Sequence, residues 1–98
     1  MPKYVNKELN TLAMKAIATW GVKHQLAVAV EEAGEFIAAA SKVINRGEEA
    51  DTKLYSEVAD MIIMIEQLKI MFQPEMVEML PKKMAKLKGH LDAASNNV

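Results

Sequence analysis

The sequence predicts an all-α protein: an antiparallel, four-helix-bundle-like domain that oligomerises through its third helix. Three observations predict it. Apolar residues recur at intervals of three and four along nearly the whole chain, the spacing of one buried helical face. Gly and Pro are few and fall where turns are useful, as at Trp20-Gly21, Asn45-Arg46-Gly47 and Gln73-Pro74. The series Leu26, Val30, Ala33, Ile37, Ala40, Ile44 is a heptad-like seam suited to near-antiparallel packing.

Four elements follow in order. Helix 1 is expected over 7–19, with Asn6 as N-cap and Leu9, Leu12, Ala13, Ala16, Ile17 and Trp20 on one face. Trp20 reads either as core or as a pocket wall on which a nucleobase stacks. Helix 2 is expected over 22–45, ended by Gly47. Helix 3 is expected over 52–72, with Asp51 as N-cap. Leu54, Val58, Met61, Ile62, Ile65, Leu68 and Phe72 form one face, and Ile63, Met64, Ile70 and Met71 make most of the rest apolar. A helix apolar nearly all round is buried nearly all round, which is the argument for a subunit interface there. Helix 4 is expected over 74–92. Pro74 suits a first turn, and Val77, Leu80, Met84, Leu87 and Leu91 stay in phase across Pro81. Pro81 removes a backbone bond, so the segment is either one kinked helix or two short ones. Residues 93–98 are expected to fray.

Composition narrows the function. At 98 residues the chain suggests one domain, and 51% apolar residues are enough for a packed core. A net charge of −1 gives no reason to expect nucleic acid or an anionic membrane as partner. No Cys is present, which removes disulfides, thiolate chemistry and Cys-type zinc sites. The first ten residues lack the apolar core of a signal peptide. The longest strongly apolar run, 61–65, is far short of a membrane span. The expectation is a soluble, cytoplasmic protein.

Two acidic pairs carry the chemistry. Glu32 and Glu35 are three apart, as are Glu57 and Asp60, and each pair lies in an apolar, Ala-rich helix. Residues three apart share a helix face, so a hairpin turning at 45–47 would bring four carboxylates together. Such a cluster repels itself unless protons or cations neutralise it. Oxygen-only ligands suit Mg²⁺ or Mn²⁺. Glu31 is either a fifth acid of the site or a solvated side chain. The cluster of Lys82, Lys83, Lys86 and Lys88 is either a solvated face or a source of one or two phosphate contacts. Di-iron bundles need Glu-x-x-His pairs, and neither His24 nor His90 is so placed; both read as surface or pocket-rim polarity. A purely solubilising role for the acids, or a non-catalytic helical oligomerisation module, accounts for less of the pattern. No glycine-rich phosphate cradle is present, so a phosphorylated substrate would be held through metal.

The stretch Glu31-Glu32-Ala33-Gly34-Glu35, a spacer, then Glu57-Val58-Ala59-Asp60 resembles the all-α nucleoside triphosphate pyrophosphohydrolases, the MazG-like superfamily. The likeness covers about 20–72 and is greatest to the short single-domain proteins of phages and bacteria. It implies an enzyme that cleaves a nucleoside triphosphate between the α and β phosphates, releasing monophosphate and pyrophosphate. It implies Glu32, Glu35, Glu57 and Asp60 as ligands for Mg²⁺ and Glu35 or Glu31 as the group that orients the attacking water. It also implies Lys83 and Lys86 as phosphate-binding residues, although Pro81 departs from the family's pattern there. Homodimers or homotetramers are implied as well. Phosphoribosyl-ATP pyrophosphohydrolase is the alternative within the superfamily, but its second motif continues with a His where this chain has Met61-Ile62-Ile63-Met64.

Overall fold

In the computed structural model, which describes residues 7–96, four helices follow one another with little chain between them: α1 (Lys7–Trp20), α2 (Val22–Arg46), α3 (Thr52–Met71) and α4 (Gln73–Asn96). Among the described residues there is no strand. No helix is long and apolar enough to cross a membrane. The expected N-cap Asn6 lies outside the described residues.

Local chemistry sets the boundaries. Gly21 alone joins α1 to α2. Its N–H donates to the Ile17 carbonyl and its own carbonyl accepts from Gln25. Its φ of 89° and ψ of 159° lie in a region essentially reserved for glycine. Gly47 ends α2 in the left-handed conformation, its N–H donating to the Lys42 carbonyl. Asp51 caps α3 by accepting from the Leu54 N–H at 3.1 Å. Phe72 then ends α3, and Pro74 occupies the first turn of α4.

α3 is the centre of the packing. It lies against α2 along the longest contact, against α1 over a shorter one, and against α4 least; α4 packs on α3 alone. The buried residues are few and mostly small or polar: Ala13, Ala29, Ala39 and Met64, with Gln25, Glu57 and Gln67. Alanines on α2 let its backbone approach α3 closely, as the run at 38–40 suggests.

Several sequence expectations change here. The α2 seam faces outward: Leu26, Val30, Ile37 and Ile44 are exposed. The inward face is the neighbouring stripe of Gln25, Ala29, Glu32, Phe36, Ala39 and Val43. The two stripes share one period and differ by one residue, about 100° of rotation. Met64, expected on a face of helix 3 covered by a subunit interface, is buried within the chain itself. Val58, Ile63 and Ile65 keep that helix apolar on its solvent side. α4 is one helix through Pro81, neither broken there nor ended before Asn96, and none of its residues is buried.

The glycines give a paired test. Gly21→Ala is expected to lower stability by about 1–3 kcal/mol, because alanine is strained at that φ and ψ. Gly34 lies inside α2, with open space where a Cβ would project. Gly34→Ala should therefore raise stability by about 0.5–1 kcal/mol. Urea denaturation followed by helical circular dichroism measures both.

Candidate metal centre

Gln25 on α2 donates through Nε2 to Gln67 Oε1 on α3 at 2.8 Å. Seven residues further along α2 comes Glu32, and seven residues back along α3 comes Asp60. The two helices therefore run antiparallel, in a register that sets Glu32 and Glu35 opposite Asp60 and Glu57. One carboxylate oxygen from each of the four lies within 4.8 Å of the others. The helical hairpin expected from the sequence thus brings all four predicted ligands together.

The four are not equivalent. Glu57 is buried, at 4% exposure; Glu32 and Asp60 are half-buried; Glu35 is exposed at the rim. Glu57 Oε1 pairs with Lys53 Nζ at 3.2 Å, one turn earlier on α3. Among the described residues its other oxygen, Oε2, is inaccessible to solvent and has no hydrogen-bond partner, and the same holds for Glu32 Oε2. Buried oxygens normally have partners, because leaving a polar atom both dry and unpaired costs free energy. Two such orphans on facing helices, inside one carboxylate cluster, are what a cation would satisfy. The donor set is hard and oxygen-only, so the residues fit Mg²⁺ or Mn²⁺.

Electrostatics agree with this geometry. Burial, followed by the negative charges of Glu35, Asp60 and Glu57, pushes the Glu32 carboxyl above its ordinary value, and a hydrogen bond with Asp60 favours its protonated form further. Glu66, elsewhere on α3, runs the other way. Hydrogen bonds from Asn10 and Lys69 hold its carboxyl below the ordinary value.

The other predicted site residues are placed as follows. Glu31 is exposed and not among the four clustered acids. Trp20 is 58% exposed, so it is not core. It lies on the wall of a cleft of about 420 Å³ between α1, α2 and α3, with Leu12, Ala16, Gln25, Ile63 and Gln67. Its indole is tilted over the His24 ring at 6.3 Å. Lys83 and Lys86 are exposed on α4 and, among the described residues, form no ion pair.

Two features were not singled out from the sequence. One is the buried Gln25–Gln67 pair. Gln25 also lies 2.7 Å from His24 Nδ1 through its Oε1, and Gln67 Nε2 reaches Met64 Sδ at 3.6 Å. The signal was available, since each glutamine is one heptad from an acid of the cluster on its own helix. The second is Lys53, which the i, i+4 spacing to Glu57 marks as its partner.

In comparisons with known proteins, no family model, no curated protein and no solved structure matches this chain.

The raised Glu32 carboxyl has a thermodynamic consequence. The folded chain holds that proton more tightly than the unfolded chain does. Its stabilising contribution is therefore present below the ordinary carboxylate range and is lost as pH rises through the raised value. Glu66 contributes above the ordinary range and loses that contribution as pH falls through its lowered value. In metal-free solution near neutral pH, Glu32→Gln should accordingly raise the melting temperature, by about 4–8 °C for each kcal/mol relieved. The gain should fade as the solution is acidified through the carboxylate range. Excess Mg²⁺ should reverse the order by stabilising only the wild type. Thermal melts in chelator and in Mg²⁺, across a pH series, test all three points.

Proposed function

We propose that this protein is a Mg²⁺-dependent nucleoside triphosphate pyrophosphohydrolase of the MazG-like type. It would convert an NTP or dNTP to the monophosphate and pyrophosphate. The observation that carries the reading is the cluster of Glu32, Glu35, Glu57 and Asp60, with two buried carboxylate oxygens that have no hydrogen-bond partner among the described residues. The likeness of the two motifs to that superfamily supplies the reaction class.

Within this reading the residues divide by depth. Glu57 and Glu32 form the inner wall of the cation site, and Asp60 completes it. When bound, Mg²⁺ supplies Lewis-acid polarisation of the phosphoryl oxygens and neutralises their charge. Glu35, at the exposed rim, is placed to accept a hydrogen bond from a water and to take its proton as that water adds to the α phosphorus. The bond between the α phosphorus and the α–β bridging oxygen breaks, and pyrophosphate leaves with the electron pair. Glu31, exposed one turn before Glu35, is the alternative for orienting the water. Trp20 and the cleft beside it are the seat for the base. Gln25 lies seven residues from Glu32, about 10 Å along the helix axis, a span suited to a nucleotide with its phosphates at the carboxylates. Lys83 and Lys86 are the candidates for charge neutralisation on the leaving group.

The deciding experiment is a Mg²⁺-dependent hydrolysis panel over the common NTPs and dNTPs and phosphoribosyl-ATP, with products identified by phosphorus NMR. Monophosphate plus pyrophosphate is expected. Glu57→Gln should lower kcat by at least about 100-fold, as expected for a group that helps stabilise transition-state charge, while keeping its helical signal. Orthophosphate release would refute the reading. Absence of both turnover and metal binding would leave a helical oligomerisation module, the reading that the exposed apolar faces of α2 and α4 favour. Trp20→Ala is expected to raise KM roughly 5–150-fold with kcat little changed, the size of one lost base–aromatic stack. An unchanged KM would remove Trp20 from the base site.

A further inference from the structure

The cleft beside Trp20 is walled by apolar side chains, among them Leu12, Ala16 and Ile63. Two buried polar groups also line it, the amides of Gln25 and Gln67, each 3% exposed. An apolar pocket with a few fixed polar groups suits a flat ring whose edge is read by hydrogen bonds. Gln25 precedes Glu32 by seven residues on α2, and Gln67 follows Asp60 by seven on α3. The amides and the acids therefore share one antiparallel seam.

The amide pair has a direction. Gln25 Nε2 donates to Gln67 Oε1 at 2.8 Å. Gln25 Oε1 can only accept, and it faces His24 Nδ1 at 2.7 Å, so that ring nitrogen carries the proton. Gln67 Nε2 ends the chain on Met64 Sδ at 3.6 Å, and a thioether is a weak acceptor. Turning both amides over would aim the Gln67 carbonyl at that sulfur, which has no proton to give. The donors therefore run from His24 through Gln25 to Gln67. Each carboxamide brings two N–H groups. Each uses one, Gln25 on an amide oxygen and Gln67 on a sulfur, and among the described residues the second N–H of each has no acceptor. Both carbonyls, by contrast, already accept from a nitrogen. The cleft thus has surplus buried donors, which cost free energy while they lack an acceptor.

We propose that Gln67, oriented by Gln25, selects the base: its amide N–H donates to a carbonyl oxygen on the base edge, so the site takes carbonyl-bearing bases in preference to adenine. This inference rests on the hydrolase reading and narrows its substrate class to nucleotides of uracil, thymine, cytosine and guanine. Such a carbonyl is the strong acceptor that Met64 Sδ is not. Adenine has no carbonyl. It carries an exocyclic amino group where guanine carries its O6, and an amino group facing surplus N–H donors leaves both sides unpaired. Stacking on Trp20 does not make this choice, because every base has a π face. Discrimination falls to the amides. His24 is a positioning residue here, since its Nδ1–H fixes which way the Gln25 amide points.

The test reads binding rather than turnover. Calorimetry with Mg²⁺ and the α,β-methylene triphosphates of uridine, cytidine, guanosine, inosine and adenosine measures affinity without cleavage at the α–β bridge. Inosine and adenosine form the sharpest pair, having the same purine frame with a carbonyl in one and an amino group in the other. The wild type should bind the inosine compound about 5–150-fold more tightly than the adenosine compound, the range for one buried amide left unpaired. The uridine, cytidine and guanosine compounds should side with inosine. Gln25→Met combined with Gln67→Met removes both amides together, so neither is stranded. That variant should keep its helical circular dichroism and bind inosine and adenosine compounds alike. Should it lose helix, Gln25→Leu with Gln67→Leu replaces it. Equal affinity for the two purines in the wild type would overturn the inference and leave the hydrolase reading standing, as would a preference that survives in a folded double variant. If none of the five compounds binds, the hydrolase reading fails and this inference fails with it.

Discussion

Mutual repulsion among Glu32, Glu35, Glu57 and Asp60 is opposed by the packing of α2 on α3, and the rest of the structure can be understood from that opposition. Four carboxylate oxygens within 4.8 Å push two helices apart. Ala29 and Ala39, both buried, let the backbones come close enough for Met64 and the Gln25–Gln67 bond to hold them. Lys53 offsets one charge, and burial beside the neighbouring acids raises the Glu32 carboxyl, which eases the repulsion further. Glu32 Oε2 and Glu57 Oε2 remain buried without a partner among the described residues. A divalent cation bound there would turn the repulsion into shared coordination and so offset the cost of building the site.

Much of this was legible in the sequence because it is local. Helix starts and stops are written in single residues such as Gly21, Gly47 and Asp51, whose side chains or backbone freedom act within a few positions. The acidic cluster was legible because a spacing of three on each of two helices, with a turn between them, leaves little geometric freedom. What was not legible is rotation. Leu26, Val30, Ile37 and Ile44 repeat with the same period as Gln25, Ala29, Glu32 and Ala39, so periodicity cannot tell which stripe meets α3. Side-chain size favours the first, and close approach with polar pairing favours the second. Trp20 posed the same problem, being on the apolar stripe of α1 and yet open along the cleft. The place of α4 was hidden for another reason: an apolar stripe declares that it needs a partner without saying whether the partner lies in the same chain.

The distribution of apolar residues also separates two kinds of packing. Among the described residues, the buried positions are small or polar apart from Met64, and no large side chain is fully buried. The larger aliphatic residues lie on α2 and α4 facing outward. A chain of this size gains limited burial by folding alone, and this one leaves much of its bulkier apolar surface on α2 and α4 exposed. The clustered acids and the exposed apolar stripe thus occupy different faces of α2.

All four carboxylates come from a single helical hairpin, turned at 47–51 and less than a third of the chain apart in sequence. Contacts of such short separation carry a small loop-closure entropy and form early, on the timescale of helix docking rather than of global assembly. A cation held by this cluster would therefore clamp one local hairpin, and ion availability would bear on how fast that hairpin docks as well as on the final stability.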